Sequence, residues 1–135
     1  NINLMKKVFQ IAIEIKISIA INQVEFHPFL FQEELYNYCM KNNCFITAYS
    51  PLARGLVNES DILITIGKKY NKTPCQIALR WLLQKNIIII PKGSTLDHLK
   101  ENIDIFDFEL NDIDMSEIDE LNINYRIINP SFSDF

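Results

Sequence analysis

The chain has 135 residues, 48% of them hydrophobic, which is enough for one globular domain with its own core. Its net charge of -4 argues against a nucleic-acid backbone as partner, because proteins that bind one carry a basic patch or stripe. Cys39, Cys44 and Cys75 show no C-x-x-C spacing and neither His27 nor His98 has a second ligand nearby, so no disulfide framework and no metal site is expected, and a reducing, cytoplasmic setting is.

In chain order, Lys6-Lys7 precede an uncharged run over 8–13, which Glu14 and Lys16 end too soon for a membrane span or a signal-peptide core. No membrane partner is expected. The first residue is Asn rather than Met, so it is not expected to be a natural translation start. Residues 5–15 read as the end of a helix, with Val8, Ile11, Ala12 and Ile15 at helical spacing. Residues 17–24 form a strand candidate that runs into Asn22-Gln23-Val24-Glu25. A helix is predicted over 32–42, then a strand over 45–49 closing on Ser50-Pro51-Leu52. Cys39 and Cys44, five apart, would not share a helix face and read as buried small hydrophobes.

A helix over 61–70 follows. Thr73-Pro74-Cys75-Gln76 is a capping box with Pro at the first helical position, launching a helix that ends near Gln84. On it, Arg80-Trp81 is expected to supply packing and a surface ion pair. Four consecutive isoleucines, 87–90, have the length and β-branching of a strand buried on both faces. Helices are predicted over 96–103 and 112–121, the second with Asn111 and Asp114 at capping spacing. From Asp97 to Glu120 there are ten acidic residues and one Lys, which read as a solvated acidic face.

The stretch 86–102 carries the clearest chemistry. After the isoleucine strand and Pro91, Lys92-Gly93-Ser94-Thr95 places a cation, a flexible glycine and two hydroxyls at a helix N-terminus, whose unpaired N–H groups attract anions. That is a place to hold a phosphate. Strands alternating with helices point to a parallel α/β sheet whose ligands sit at the C-terminal strand ends. No Gly-x-Gly-x-x-Gly occurs, so a dinucleotide would have to bind another way. Three parallel strands also leave two open edges, so this segment reads as part of a larger sheet.

Several motifs are recognisable in register: Asn22-Gln23-Val24-Glu25-Phe26-His27-Pro28, Thr47-Ala48-Tyr49-Ser50-Pro51-Leu52, Ala78-Leu79-Arg80-Trp81-Leu82-Leu83-Gln84, Ile90-Pro91-Lys92, Glu101-Asn102 and Phe106-Asp107-Phe108-Glu109-Leu110. Over 1–123 the sequence resembles the C-terminal half of the aldo-keto reductases, with 124–135 as a tail. The resemblance implies an α/β fold: about strands 6–8, with their helices, of a (β/α)8 TIM barrel that uses NADPH to reduce aldehydes and ketones. It implies that Asn1 and Gln23 contact the nicotinamide carboxamide, that Tyr49 stacks under the nicotinamide ring, and that Ser50 and Leu52 lie along the pyrophosphate. Lys92, Ser94 and Thr95 fall at the adenosine 2′-phosphate, and Glu101 with Asn102 at the adenine. By residue type alone Tyr49 reads as a core aromatic and Gln23 as a buried amide; the resemblance gives both another role. His27 is expected to be structural.

One position departs from the family. His98 stands where an Arg commonly stacks on adenine and pairs with the 2′-phosphate, and a histidine lacks the planar guanidinium fork. NADPH preference is therefore expected to be modest and stronger at low pH, with NADH also accepted. Gly93 removes a further contact. The family's catalytic Asp, Tyr, Lys and His come from the first four strands, and Tyr36, Tyr38, Tyr70 and Tyr125 lie in no matching motif. A barrel takes about 250 residues, so this chain is expected to hold much of the cofactor site without the catalytic acid system. The alternative is a non-catalytic nucleotide-binding or assembly module, a half-barrel that closes its sheet against another half. A small carbonyl compound is the substrate expected for the full-length protein, and self-association through open sheet edges for the isolated chain. In the tail, Tyr125, Arg126, Phe132 and Phe135 leave open an apolar lid or a frayed end.

Overall fold

The structure, a computed structural model, describes residues 1–131. Helix α1 (Ile2–Glu14) starts on Asn1, whose side chain accepts the Asn3 and Leu4 N–H groups. It ends at Lys16, which is left-handed at φ 57°. Its buried face is Met5, Phe9 and Ala12, while Ile11 and Ile15 of the predicted stripe are exposed. Apolar residues surround this helix, so spacing alone does not select the packed face.

Strand β1 is Ile21–Glu25, shorter at its start than predicted. Helix α2 (Glu33–Lys41) carries Glu33 and Glu34 in its first turn and Lys41 in its last, in line with the helix dipole. Asn43 (φ 55°) then turns the chain left-handed, and the Cys44 N–H reaches back to the Cys39 carbonyl at 2.9 Å. Both thiols are buried as expected. Strand β2 (Phe45–Tyr49) follows, then a kinked 3-10 segment, Ala53–Glu59.

Ser60 caps helix α3 (Asp61–Tyr70), and the predicted capping box of Thr73 and Gln76 starts helix α4 (Pro74–Gln84). Strand β3 contains only Ile88–Ile89. Helix α5 (Leu96–Ile103) is capped by Thr95, and α6 (Asp112–Asp119) by Asn111.

The sheet is parallel in the order β1-β2-β3, with Gln23 opposite Thr47 and Thr47 opposite Ile88. One face is packed: Ile46, Ala48 and Ile87 are buried with Phe26, Leu63, Ile77, Trp81 and Leu82. The other face is largely open, with Ile21 54%, Phe45 56%, Ile88 43% and Ile90 47% exposed. The isoleucine strand is therefore buried on one face only. Its second face has no layer against it among the described residues, which is how three strands cut from a closed barrel look.

The acidic C-terminal region is not simply solvated. Lys69 pairs with the buried Asp114 at 2.8 Å, Lys72 with Asp104 and Asp107, and Lys85 with Asp119, so cations on α3, in the turn after it and at the end of α4 receive it. Burial opposes charge on Asp114, but hydrogen bonds from Lys69 and Tyr70 outweigh it and hold the carboxyl below its usual range. Arg80 departs from the expected surface ion pair. It donates to Gln84 Oε1 (3.0 Å) and to the Ile105 carbonyl (3.1 Å), while Trp81 is fully buried with Nε1 on Asp119.

Candidate functional site

The C-terminal ends of β2 and β3 open onto a cavity of about 920 Å³. Of the sequence-predicted site residues, Ser50 and Leu52 line it from the loop after β2. Lys92, Ser94, His98, Glu101 and Asn102 line it from the loop after β3 and from α5. Two successive βα connections thus converge, as parallel sheets arrange their ligand crevices. Thr95 stands at the N-terminus of α5 as its cap, its hydroxyl accepting the His98 N–H at 3.2 Å. Ser94 Oγ lies 3.4 Å from His98 Nδ1.

A Cβ at Gly93 would meet the half-exposed Leu99 side chain, which would have to shift to admit it. Glu101 is already engaged: the Thr73 hydroxyl donates to its Oε1 at 2.5 Å. Gln76, half of the capping box, also donates to the Glu101 and Asp104 carbonyls at 3.2 and 2.9 Å. The start of α4 is in this way tied to α5, and the cavity lies at their junction.

Besides the α5 cap Thr95, three predicted positions lie apart from the cavity lining. Asn1 caps α1. Gln23 is exposed on the open sheet face opposite Thr47. Tyr49 is half-buried at the end of β2 opposite Glu25, and burial followed by the Glu25 charge pushes its hydroxyl pKa up. His27 is fully buried against Glu25, its Nε2 3.1 Å from Oε1, in the structural role expected of it.

Some lining residues were not singled out by the sequence reasoning. Arg54, Gly55 and Asn58 come from the 3-10 segment, and Thr73, Pro74 and Cys75 from the start of α4. The Arg54 signal was present in its position two residues after Leu52, but the loop's shape was not. Ser50, Ala53 and Arg54 all have positive φ (51°, 48° and 54°), a conformation that non-glycine sequence does not advertise. Cys75 donates to Asn58 Oδ1 at 3.3 Å, and burial pushes its thiol pKa up. Among the described residues no group of three or more His, Cys, Asp or Glu could hold a metal, and no helix is long and apolar enough to cross a membrane.

Parallel βα units, one open sheet face and a cavity at the C-terminal strand ends define a segment of a (β/α)8 barrel. The sequence profile described as the Aldo/keto reductase family matches residues 1–123, and the chain belongs to that family. It is 49% identical over 107 residues to the uncharacterized oxidoreductase YtbE of Bacillus subtilis (strain 168), covering 79% of this chain and 38% of that protein. It is 45% identical over 107 residues to glyoxal reductase of the same organism, covering 79% of this chain and 39% of the relative. The fold is similar to the crystal structure of an aldo-keto reductase enzyme from a Medee basin deep-sea metagenome library, with a TM-score of 0.80 and 37% identity over 85% of this chain and 44% of that one. The chain thus spans about two fifths of the length of these relatives.

Proposed function

We propose that this chain supplies the cofactor-holding part of an NAD(P)H-dependent carbonyl reductase. The observation that carries the reading is the cavity, where Lys92, Ser94 and the N-terminus of α5 meet the loop after Tyr49. The donor set fits a phosphorylated dinucleotide: a cation without a carboxylate partner among the described residues, hydroxyls, and helix N–H groups. Lys92 and Ser94 would hold the adenosine 2′-phosphate, Asn102 the adenine, Ser50 and Leu52 the pyrophosphate. Tyr49 and Gln23 would hold the nicotinamide. When bound, the dinucleotide supplies the hydride.

The protonating side of the reaction does not reside among these residues. Tyr36 donates to the Lys85 carbonyl, Tyr70 to Asp114, and Tyr38 packs edge-on against Phe9, all away from the cavity lining. The chain alone is therefore expected to bind the cofactor without reducing an aldehyde.

Fluorescence titration of the purified chain tests this. NADPH should bind, and Lys92→Met should weaken it about tenfold or more, the scale of a lost charge-assisted contact. Failure of NADPH to bind would sink the proposal. Oxidation of NADPH by an aldehyde with this chain alone would place the acid here instead.

A further inference from the structure

Away from the cavity, one buried carboxylate holds the end of the chain. Glu25, the last residue of β1, accepts the Ile127 N–H at Oε1 (2.7 Å) and the Ile128 N–H at Oε2 (2.9 Å). Arg126, on the same stretch of tail, brings Nη1 to 3.8 Å from Oε2. His27, also fully buried, donates from Nε2 to Oε1 at 3.1 Å, and its Nδ1 has no hydrogen-bond partner among the described residues. A single carboxylate thus serves both a histidine and the tail.

That arrangement suits only a neutral imidazole. A proton on Nδ1 would add a buried donor without an acceptor, and a second positive charge beside the carboxylate that Arg126 already faces. Burial holds the imidazole below its ordinary value; the Glu25 hydrogen bond and charge oppose this, and Arg126 adds to it. Tyr49, across the sheet on β2, has its hydroxyl pushed up by burial and by Glu25, so it stays neutral. At the start of α1, burial and then Arg126 lower the Asn1 amino group. From the 3-10 segment, Glu59 borders the same groove as Phe29 and Tyr125.

The cover most easily lifted from this pair is the tail. Strand β1 is paired with β2 along its five residues, whereas 123–131 contains no helix or strand. The tail's anchors converge on one short stretch: the Ile123 and Tyr125 N–H groups on the Phe29 carbonyl, the Asn122 side chain on the Phe31 backbone, and the two amides on Glu25. Segments with few packed contacts open before the core does.

We propose that residues 125–128 form an acid-released latch: a proton taken up by His27 sets a second cation against Glu25, and the tail bearing Arg126 lets go of the end of β1 while the core stays folded. Release leaves the imidazolium beside a solvated Glu25 and uncovers the strand end next to Tyr49. The latch closes again as pH rises through the imidazole range.

The test is hydrogen exchange of the Ile127 and Ile128 amides in the whole chain, at pH 7.5 and 5.5, with and without a low concentration of urea. Their protection should fall about tenfold between the two pH values, the shift for a group that binds its proton only in the open state, one unit below 6.5. Low urea should leave that protection unchanged, while protection of Ile77 in α4 falls with urea, as global unfolding requires. His27→Gln should abolish the pH dependence. Ile127→Pro, which takes one N–H from Glu25, should make the His27 ring titrate nearer its ordinary value by NMR than in wild type. Tail protection that is unchanged at pH 5.5, or that falls with urea as Ile77 does, would overturn the latch. So would a pH dependence that survives in folded His27→Gln, which would point to the Asn1 amino group, or a His27 titration that Ile127→Pro leaves unmoved.

Discussion

At the scale of single residues, the most constrained group outside the cavity is the pair Glu25 and His27. Both are fully buried, and Glu25 uses both carboxylate oxygens on the tail, accepting the Ile127 and Ile128 N–H groups at 2.7 and 2.9 Å. His27 donates from Nε2 to the same carboxylate, and its Nδ1 has no partner. Burial lowers the imidazole pKa below 6.5, outweighing the hydrogen bond and the charge of Glu25, which would raise it. The unfolded chain therefore binds this proton more readily than the folded one. Stability is whole above about pH 6.5 and declines as pH falls from there toward the folded value. Urea midpoints measured from pH 7.5 down to 5.5 should drop, and the drop should shrink in His27→Gln. An unchanged slope in the variant would assign the effect to other groups. The same contacts answer the question left open for the tail: Tyr125 and Arg126 are held, with the Tyr125 N–H on the Phe29 carbonyl at 2.9 Å, while Phe132 and Phe135 lie outside the described residues.

At the scale of elements, the join between α3 and α4 depends on one missing side chain. Gly67 is buried in α3, and a Cβ there would stand 2.5 Å from the Lys72 carbonyl oxygen, a backbone atom that cannot swing aside. Gly67→Ala should destabilise the chain by about 1–3 kcal/mol, even though alanine is the better helix former. A denaturant midpoint equal to wild type would show that the turn at Asn71 relaxes freely. The sequence made the caps legible here, because Thr73-Gln76 and Asn111 act through side chains at fixed spacing. It made the cavity legible where the chain itself runs along it, from Lys92 to Asn102. What could not be read depends on partners distant in sequence. Which face of α1 packs is decided by Tyr38 against Phe9, and the exposed side of β3 by a layer that these residues do not provide. Asn1 and Gln23 were legible as motif members, but their place relative to the cavity is a matter of tertiary geometry.

At the scale of the whole molecule, the open sheet face governs behaviour. Ile21, Phe45, Ile88 and Ile90 lie together on it, each about half exposed, and the outer edges of β1 and β3 have no strand beside them among the described residues. Covering these side chains is worth roughly 1 kcal/mol each at their present exposure, or about 8 kcal/mol for two copies face to face. Association costs some 4–15 kcal/mol in lost freedom, so apolar contact alone yields weak pairing. The unpaired edges add backbone hydrogen bonds to it. We expect the isolated chain to self-associate weakly, at concentrations on the order of millimolar, and to remain folded while doing so. Sedimentation across a concentration series should show dimers or larger species, and Phe45→Lys with Ile88→Lys should return the chain to a monomer without lowering its melting temperature by more than a few degrees. Those two positions are exposed, so the substitutions leave the packed face untouched. A wild-type chain that stays monomeric throughout, with a cooperative melt, would mean that the packed face and the tail clamp on Glu25 suffice, and that water is an adequate second layer for this half of the barrel.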